Sequence, residues 1–299
     1  MFIADFRYHR PETLDEAVRL INDSAKGVLL AGGTDLLVDL KQGKRSYQDV
    51  ISLTRVTELG SIRVDGDTLV IGATVTHNQL VHSPVIREHC DAISEAAESI
   101  ATEQIRNTAT VGGNLCTAAS CADTAPILMA LGSAVEIVGK SGKRTVALGD
   151  FFVGHRSTAL ARGEILTAIH VPVPTAGMGA AYEKFGLRQA ANISVASVAV
   201  MVSVQDDRVA EARFVMGAVA PTPKISARAY AAIKGQAVAD LLPGSRLTKQ
   251  VGEAVAADAE PIDDLRGTAD FRREITEVLA QRALTKALNR ATGCAEVVR

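Results

Sequence analysis

The apolar positions of this chain change period several times, and each change marks an element. Leu14, Ala17, Val18 and Ile21 fall at helical spacing behind Thr13-Leu14-Asp15-Glu16, a capping-box pattern, which predicts a helix over about 13–22. The apolar run "GVLLAGG" predicts a short strand ending in glycines, and "DLLVDLKQG" predicts a helix that closes at Gly43. "VISLTRV" and "SIRVDGDTLVIGATVT" read as strands, the second folded into a hairpin at Asp65-Gly66. In "SPVIREHCDAISEAAESIA", Pro84 suits an early helical position, and Ile93, Ala96, Ala97 and Ile100 form a stripe. Strands "SAVEIVG", "KRTVAL" and "GEILTAIHVPVP" follow, with Pro172, Pro174 and Gly177 marking a boundary. Beyond it, segments 193–204 and 208–219 predict a hairpin turned at Asp206-Asp207, followed by Ala-rich helices.

Two glycine pairs interrupt this pattern, one in "VLLAGGTDLLVDL" and one in "TATVGGNLCTAASCADTAPILMAL". Each follows a strand-like apolar run and precedes a small polar residue, Thr34 or Asn114. Glycine permits positive φ, lets a ligand approach the main chain, and frees amides that can donate to an anion. A single such loop reads equally as a bare turn; two in one chain point to a pyrophosphate held between them. Neither matches G-x-G-x-x-G or G-x4-G-K-[ST], so the dinucleotide Rossmann and Walker readings fail at the residue level.

Composition narrows the class. With 299 residues, 47 % apolar and 22 % charged, the chain reads as globular and as two domains. A net charge of −2 with interspersed signs supplies no basic face for nucleic acid. "MFIADFRYHRPETL" carries charges where a secretory segment is apolar, and no stretch is long enough to span a bilayer, so a cytoplasmic protein is expected. The four cysteines, Cys90, Cys116, Cys121 and Cys294, are too scattered for a disulfide framework. Cys116 and Cys121 have the first spacing of a plant-type iron–sulfur signature, but Thr124 stands where the third cysteine belongs, so no cluster is expected in this chain. None of the six histidines pairs at i,i+4 and H-E-x-x-H is absent, so no metal site is expected.

In order along the chain, "LLAGGTDLL", "IRNTATVGGNLCTAASCADTAPILMAL", "RTVALGDFFVG", "GEILTAIHVP" and "YEKF" resemble the motifs of the FAD-binding subunit of the molybdenum hydroxylases. This is the family of bacterial xanthine dehydrogenases and carbon monoxide dehydrogenase medium subunits. The resemblance implies an α+β fold: a two-subdomain FAD-binding domain of the PCMH type, shared with vanillyl-alcohol oxidases, over 1–174, then a small α/β domain over 175–299. The subdomains would span about 1–55 and 56–174. It also implies a cofactor site. Leu29, Leu30, Ala31, Gly32, Gly33, Thr34, Asp35 and Leu36 would wrap one side of the FAD pyrophosphate, and Thr110, Val111, Gly112, Gly113 and Asn114 the other. Thr117 would donate to the ligand, Asp123 would sit near the ribose or adenine, Leu166 would pack on the ring systems, and Lys184 would reach the isoalloxazine carbonyls.

Each of these residues has a plainer reading. Asp123 precedes "TAPILMAL" and suits a helix N-cap, Lys184 a solvated strand position, Leu166 ordinary core, and Thr117 a turn cap. Cys116 reads as a packing residue, since no positioned base is in view. By the resemblance the chain is an oxidoreductase subunit without a general acid or base of its own. It would take electrons from two [2Fe–2S] clusters of a small partner, pass them through FAD to NAD or another acceptor, and serve a large molybdopterin subunit in a dimer of heterotrimers. In "FGLRQAANIS", Phe185 to Ser194, the acidic segment of animal xanthine dehydrogenases is missing, which leaves the acceptor open. The rival readings are a stand-alone reductase of the UDP-N-acetylenolpyruvoylglucosamine type and a flavin-free scaffold subunit.

Overall fold

A computed structural model describes residues 5–188 and 190–293; Cys294 lies outside them. At the N-terminus a three-stranded parallel sheet sets Asp49–Ser52 between Arg7–His9 and Gly27–Leu30. Parallel neighbours require crossovers, which helices Leu14–Asp23 and Leu36–Lys41 supply. Thr13 caps the first by accepting from the Glu16 amide at 3.2 Å. The box is only half closed, because the Glu16 carboxylate accepts from the Glu12 amide and not from Thr13. Ala17, Val18 and Ile21 bury the predicted stripe.

The next sheet is antiparallel, in the order Ile62–Asp65, Thr68–Gly72, Ile165–Pro172, Ala134–Gly139, Gly142–Ala147. Its first hairpin turns at Gly66, at φ +61°. Helices fill the long connection between Thr68–Gly72 and Ala134–Gly139, and Ile71, Ile93, Leu115, Ile127 and Phe151 meet in the largest core. Here the sequence expectation needs correction: the second glycine pair follows no strand but lies in the first turn of a helix, Val111–Thr117. The low helix propensity of glycine is outweighed by the Thr110 cap, whose hydroxyl accepts from the Gly113 amide at 3.1 Å, and by close packing. A Cβ on Gly112 would stand 2.6 Å from the Ala73 carbonyl oxygen.

The C-terminal sheet orders Met178–Phe185, Ala196–Gln205, Arg208–Gly217 and Lys224–Ile225 antiparallel. Asp206 and Asp207 take φ of 49° and 57°, the left-handed pair that a tight two-residue hairpin turn favours. Side chains alternate along Ala196–Gln205. Val198, Val200 and Val202 join Leu279 and Leu284 of the long helix Ala269–Thr292, whereas Ala199 and Met201 join the core that holds Ile93 and Ile127. This sheet is thus packed on both faces, one against its own helices and one against the preceding domain. No helix of the described residues is long and apolar enough to cross a membrane.

Candidate functional site

Between the first two sheets lies a cleft of about 540 Å³. Leu29, Leu30, Ala31, Gly32, Gly33, Thr34, Asp35 and Leu36 line one wall; Thr110, Gly112, Gly113, Asn114 and Thr117 line the other. Ile165 and Leu166 both reach it, although successive residues of a strand ordinarily face opposite ways. They face opposite ways here too, Ile165 into the core under the N-terminal sheet and Leu166 into the largest core. Just beyond them Leu166 pairs with Ile137 and Ala168 with Glu136, so Thr167 is an extra residue that bulges the strand beside the cleft. Val111 is fully buried behind the second wall, and Asp123 and Lys184 are not in the lining.

The first loop leaves the end of Gly27–Leu30 and enters Leu36–Lys41. Its amides from Gly32 to Leu36 find no backbone acceptor among the described residues. Gly33, at φ +74°, takes the left-handed conformation that glycine favours and that can gather successive amides into an anion-binding concavity. Gly32 has a different reason: a Cβ there would overlap the carbonyl oxygen of Thr108, so the two subdomains touch main chain to main chain at this point.

The second loop offers the cleft something else, because its amides are engaged inside the protein. Val111 donates to Val75 O at 2.9 Å, Gly112 to Ala73 O at 3.0 Å, and Asn114 to Thr110 O at 2.9 Å, with Gly113 on the Thr110 hydroxyl. What remains is bare Cα surface and side chains. Asn114 accepts from the Thr124 hydroxyl at 2.7 Å through its carboxamide oxygen, which leaves its NH2 as donor.

Asp123 occupies the N-cap position of Thr124–Ala130 but makes no capping bond. Its carboxylate instead accepts from the Tyr182 hydroxyl at 2.8 Å, from Lys184 Nζ at 2.8 Å and from the Ser194 hydroxyl. Lys184 also donates to Ser99 O at 2.8 Å. The two side chains are 8 % and 7 % exposed, so Lys184 is no solvated strand lysine. Burial, reinforced by Asp123, raises the Tyr182 phenol well above its ordinary range, which keeps it a donor. The 2.8 Å contact joins two residues that were expected at different ends of an extended dinucleotide, and neither lines the cleft.

Sequence reasoning missed five polar side chains of the cleft, Asp39, Arg45, Thr74, His77 and Arg156. His77 is 1 % exposed, and burial, with the Arg106 charge second, lowers its pKa to about 4, so it is neutral at pH 7. The signal was present: Thr76-x-x-Gln79 forms a complete capping box that fixes His77 in the first turn of His77–His82. Cys116 opens onto the cleft, yet the protein packed around it pushes its thiol up to about 12, which removes the thiolate that nucleophilic chemistry needs. Among the described residues no three His, Cys, Asp or Glu side chains gather as a metal site.

Residues 4–174 match the family model of the FAD binding domain in molybdopterin dehydrogenase, and residues 180–287 that of the CO dehydrogenase flavoprotein C-terminal domain. The chain is 32 % identical over 292 residues to a xanthine dehydrogenase FAD-binding subunit of Escherichia coli O157:H7, covering 96 % of this chain and 97 % of that one. It is 34 % identical over 288 residues to the carbon monoxide dehydrogenase medium chain of Hydrogenophaga pseudoflava, covering 94 % and 96 %. A solved structure of carbon monoxide dehydrogenase from that organism superposes with a TM-score of 0.91 at 33 % identity, over 97 % of this chain and 99 % of that one. With the glycine-lined cleft set between two subdomains and a C-terminal domain packed behind it, the chain belongs to the FAD-binding subunits of the molybdenum hydroxylases.

Proposed function

We propose that this chain holds FAD in the cleft between its two N-terminal subdomains, about 1–55 and 56–174, with 175–299 as the C-terminal domain behind them. It is the electron-transfer subunit of a cytoplasmic molybdenum hydroxylase complex. A small partner with [2Fe–2S] clusters supplies the electrons, a large molybdopterin partner oxidises the substrate, and NAD or another acceptor takes the electrons away. The assembly is a dimer of heterotrimers.

One observation carries this reading: Gly32 to Leu36, whose amides have no acceptor among the described residues, line the same cleft as Gly112 and Gly113. That donor set fits a dinucleotide cofactor, whose diphosphate needs donors and whose rings need apolar walls. FAD accepts one or two electrons and so can join single-electron centres to a two-electron acceptor. The chain's own residues bind and orient. Gly32 to Leu36 donate to the phosphates, Asn114 and Thr117 offer side-chain donors from the opposite wall, and Leu166 supplies apolar surface. Val111 holds the second glycine pair in place through Val75. Lys184 keeps one N–H in hand after Ser99 and Asp123, and is assigned to the flavin carbonyls with Asp123 fixing it.

The test is to isolate the chain at native expression with whatever accompanies it, record the visible spectrum and extract the flavin. One FAD per chain, with two unlike partner chains, is expected. A colourless folded chain points to the scaffold, and a yellow chain without partners that reduces a soluble substrate points to the solitary reductase.

A further inference from the structure

Arg45 and Arg156 line the cleft from its two sides. Arg45 follows the helix Leu36–Lys41, which carries Asp39. Arg156 belongs to the other subdomain, at the tip of the hairpin Phe152–Gly154 and Ser157–Thr158, with φ +54° and its amide on Ala118 O at 2.8 Å. Both guanidinium groups approach the same oxygen, Asp39 Oδ2, at 3.6 and 3.7 Å. Those separations allow attraction but lie outside hydrogen-bond range. Other arginines of the fold are better matched: Arg144 reaches Glu164 at 2.8 and 2.7 Å, and Arg7 grips both oxygens of Asp49 at 2.8 Å.

A guanidinium presents a planar fork of donors suited to a second pair of oxygens, and here two such forks face a cleft with one carboxylate oxygen shared between them. Among the residues lining the cleft, Arg45 and Arg156 are the arginines and there is no lysine. Main-chain amides at Gly32 to Leu36 donate to an anion but carry no net charge. We infer that Arg45 and Arg156 form a cationic clamp on the phosphates of the bound dinucleotide, one arm from each subdomain, with Asp39 holding both arms ready in the free protein. This rests on the assignment of FAD to the cleft. Phosphate oxygens then take over the donors that Asp39 engages only at a distance, and the arm from the second subdomain ties it to the first.

The experiment uses the full chain, stripped of flavin and titrated with FAD and, separately, with riboflavin, at low and high sodium chloride, reading flavin fluorescence. Riboflavin has the ring system without the phosphates. Arg45→Ala and Arg156→Ala are each expected to weaken FAD about tenfold, the effect of losing one charged hydrogen bond, with riboflavin affinity unchanged. The weakening of FAD binding by salt should be shallower in both variants, and Arg156→Lys should recover part of the affinity. Variants that bind FAD as the parent chain does, with the same salt dependence, overturn the clamp and leave FAD in the cleft. Equal losses for FAD and riboflavin also overturn it, since they report damage to the cleft. A parent chain that takes up no flavin overturns the assignment on which the clamp rests.

Discussion

Asp123 and Lys184 meet at 2.8 Å across the seam between the FAD-binding domain and the C-terminal sheet, with both side chains withdrawn from water. The pair is unequal in what each partner keeps when the other is removed. Without Lys184, the carboxylate still accepts from Tyr182 and Ser194. Without Asp123, the ammonium has Ser99 O alone among the described residues.

Asp123→Ala is therefore expected to cost about 3–5 kcal/mol, the range for stranding one member of a buried ion pair. Lys184→Ala should cost less, about 1–3 kcal/mol, as a carboxylate loses one of several donors. Denaturant unfolding of both variants checks the order, and equal losses would contradict the hydrogen-bond pattern.

Glycine substitutions should separate fold from ligand. Gly32→Ala puts a methyl group into the Thr108 carbonyl, main chain against main chain, so both the melting temperature and the flavin content should fall. Gly113→Ala meets only the Thr110 hydroxyl, at 2.8 Å, which can rotate away at the cost of its cap, about 1 kcal/mol. Its methyl otherwise stands on the bare surface that faces the cleft, so flavin content should fall with little change in melting temperature. Matched losses of melting temperature in the two variants would refute the distinction.

His77 should make the domain acid-sensitive. Its pKa falls from 6.5 to about 4 on folding, so between those values the unfolded chain binds more protons than the folded one. Stability is then complete above about pH 6.5 and declines as the pH is lowered toward 4, by up to roughly 3 kcal/mol. Urea midpoints at pH 7 and 4.5 should converge in His77→Gln, and a parent-like pH slope in that variant would assign the sensitivity elsewhere.

Leu166→Ala should open the cleft floor beside the bulge at Thr167. Since the side chain is 4 % exposed, a loss of about 2–4 kcal/mol is expected, together with faster release of flavin on dilution. Unaltered release would place the flavin away from this wall.

Local signals in the sequence reached the elements they govern. The stripe from Leu14 to Ile21, the Asp206-Asp207 turn and the early position of Pro84 all reappear, because each depends on neighbours a few residues away. The helix at Val111–Thr117 was illegible, since two glycines argue against helix and the compensating contact with Ala73 comes from a distant segment. The glycine loops marked the cleft, but the different states of their amides did not show, as the acceptors at Val75 and Ala73 are set by tertiary pairing. Asp123 looked like a cap for the same reason: its three partners, Tyr182, Lys184 and Ser194, lie about sixty or more positions along the chain. Arg45 and Arg156 carry no motif, and only folding brings them to one carboxylate.

The strand Ala196–Gln205 sends Ala199 and Met201 one way and Val198, Val200 and Val202 the other, each set into a separate core. A chimera that borrows its C-terminal half from a relative would thereby import part of the interior of its N-terminal half. Successful exchange should demand matched volumes at Ala199 and Met201, and a one-residue insertion in this strand would invert both packings at once.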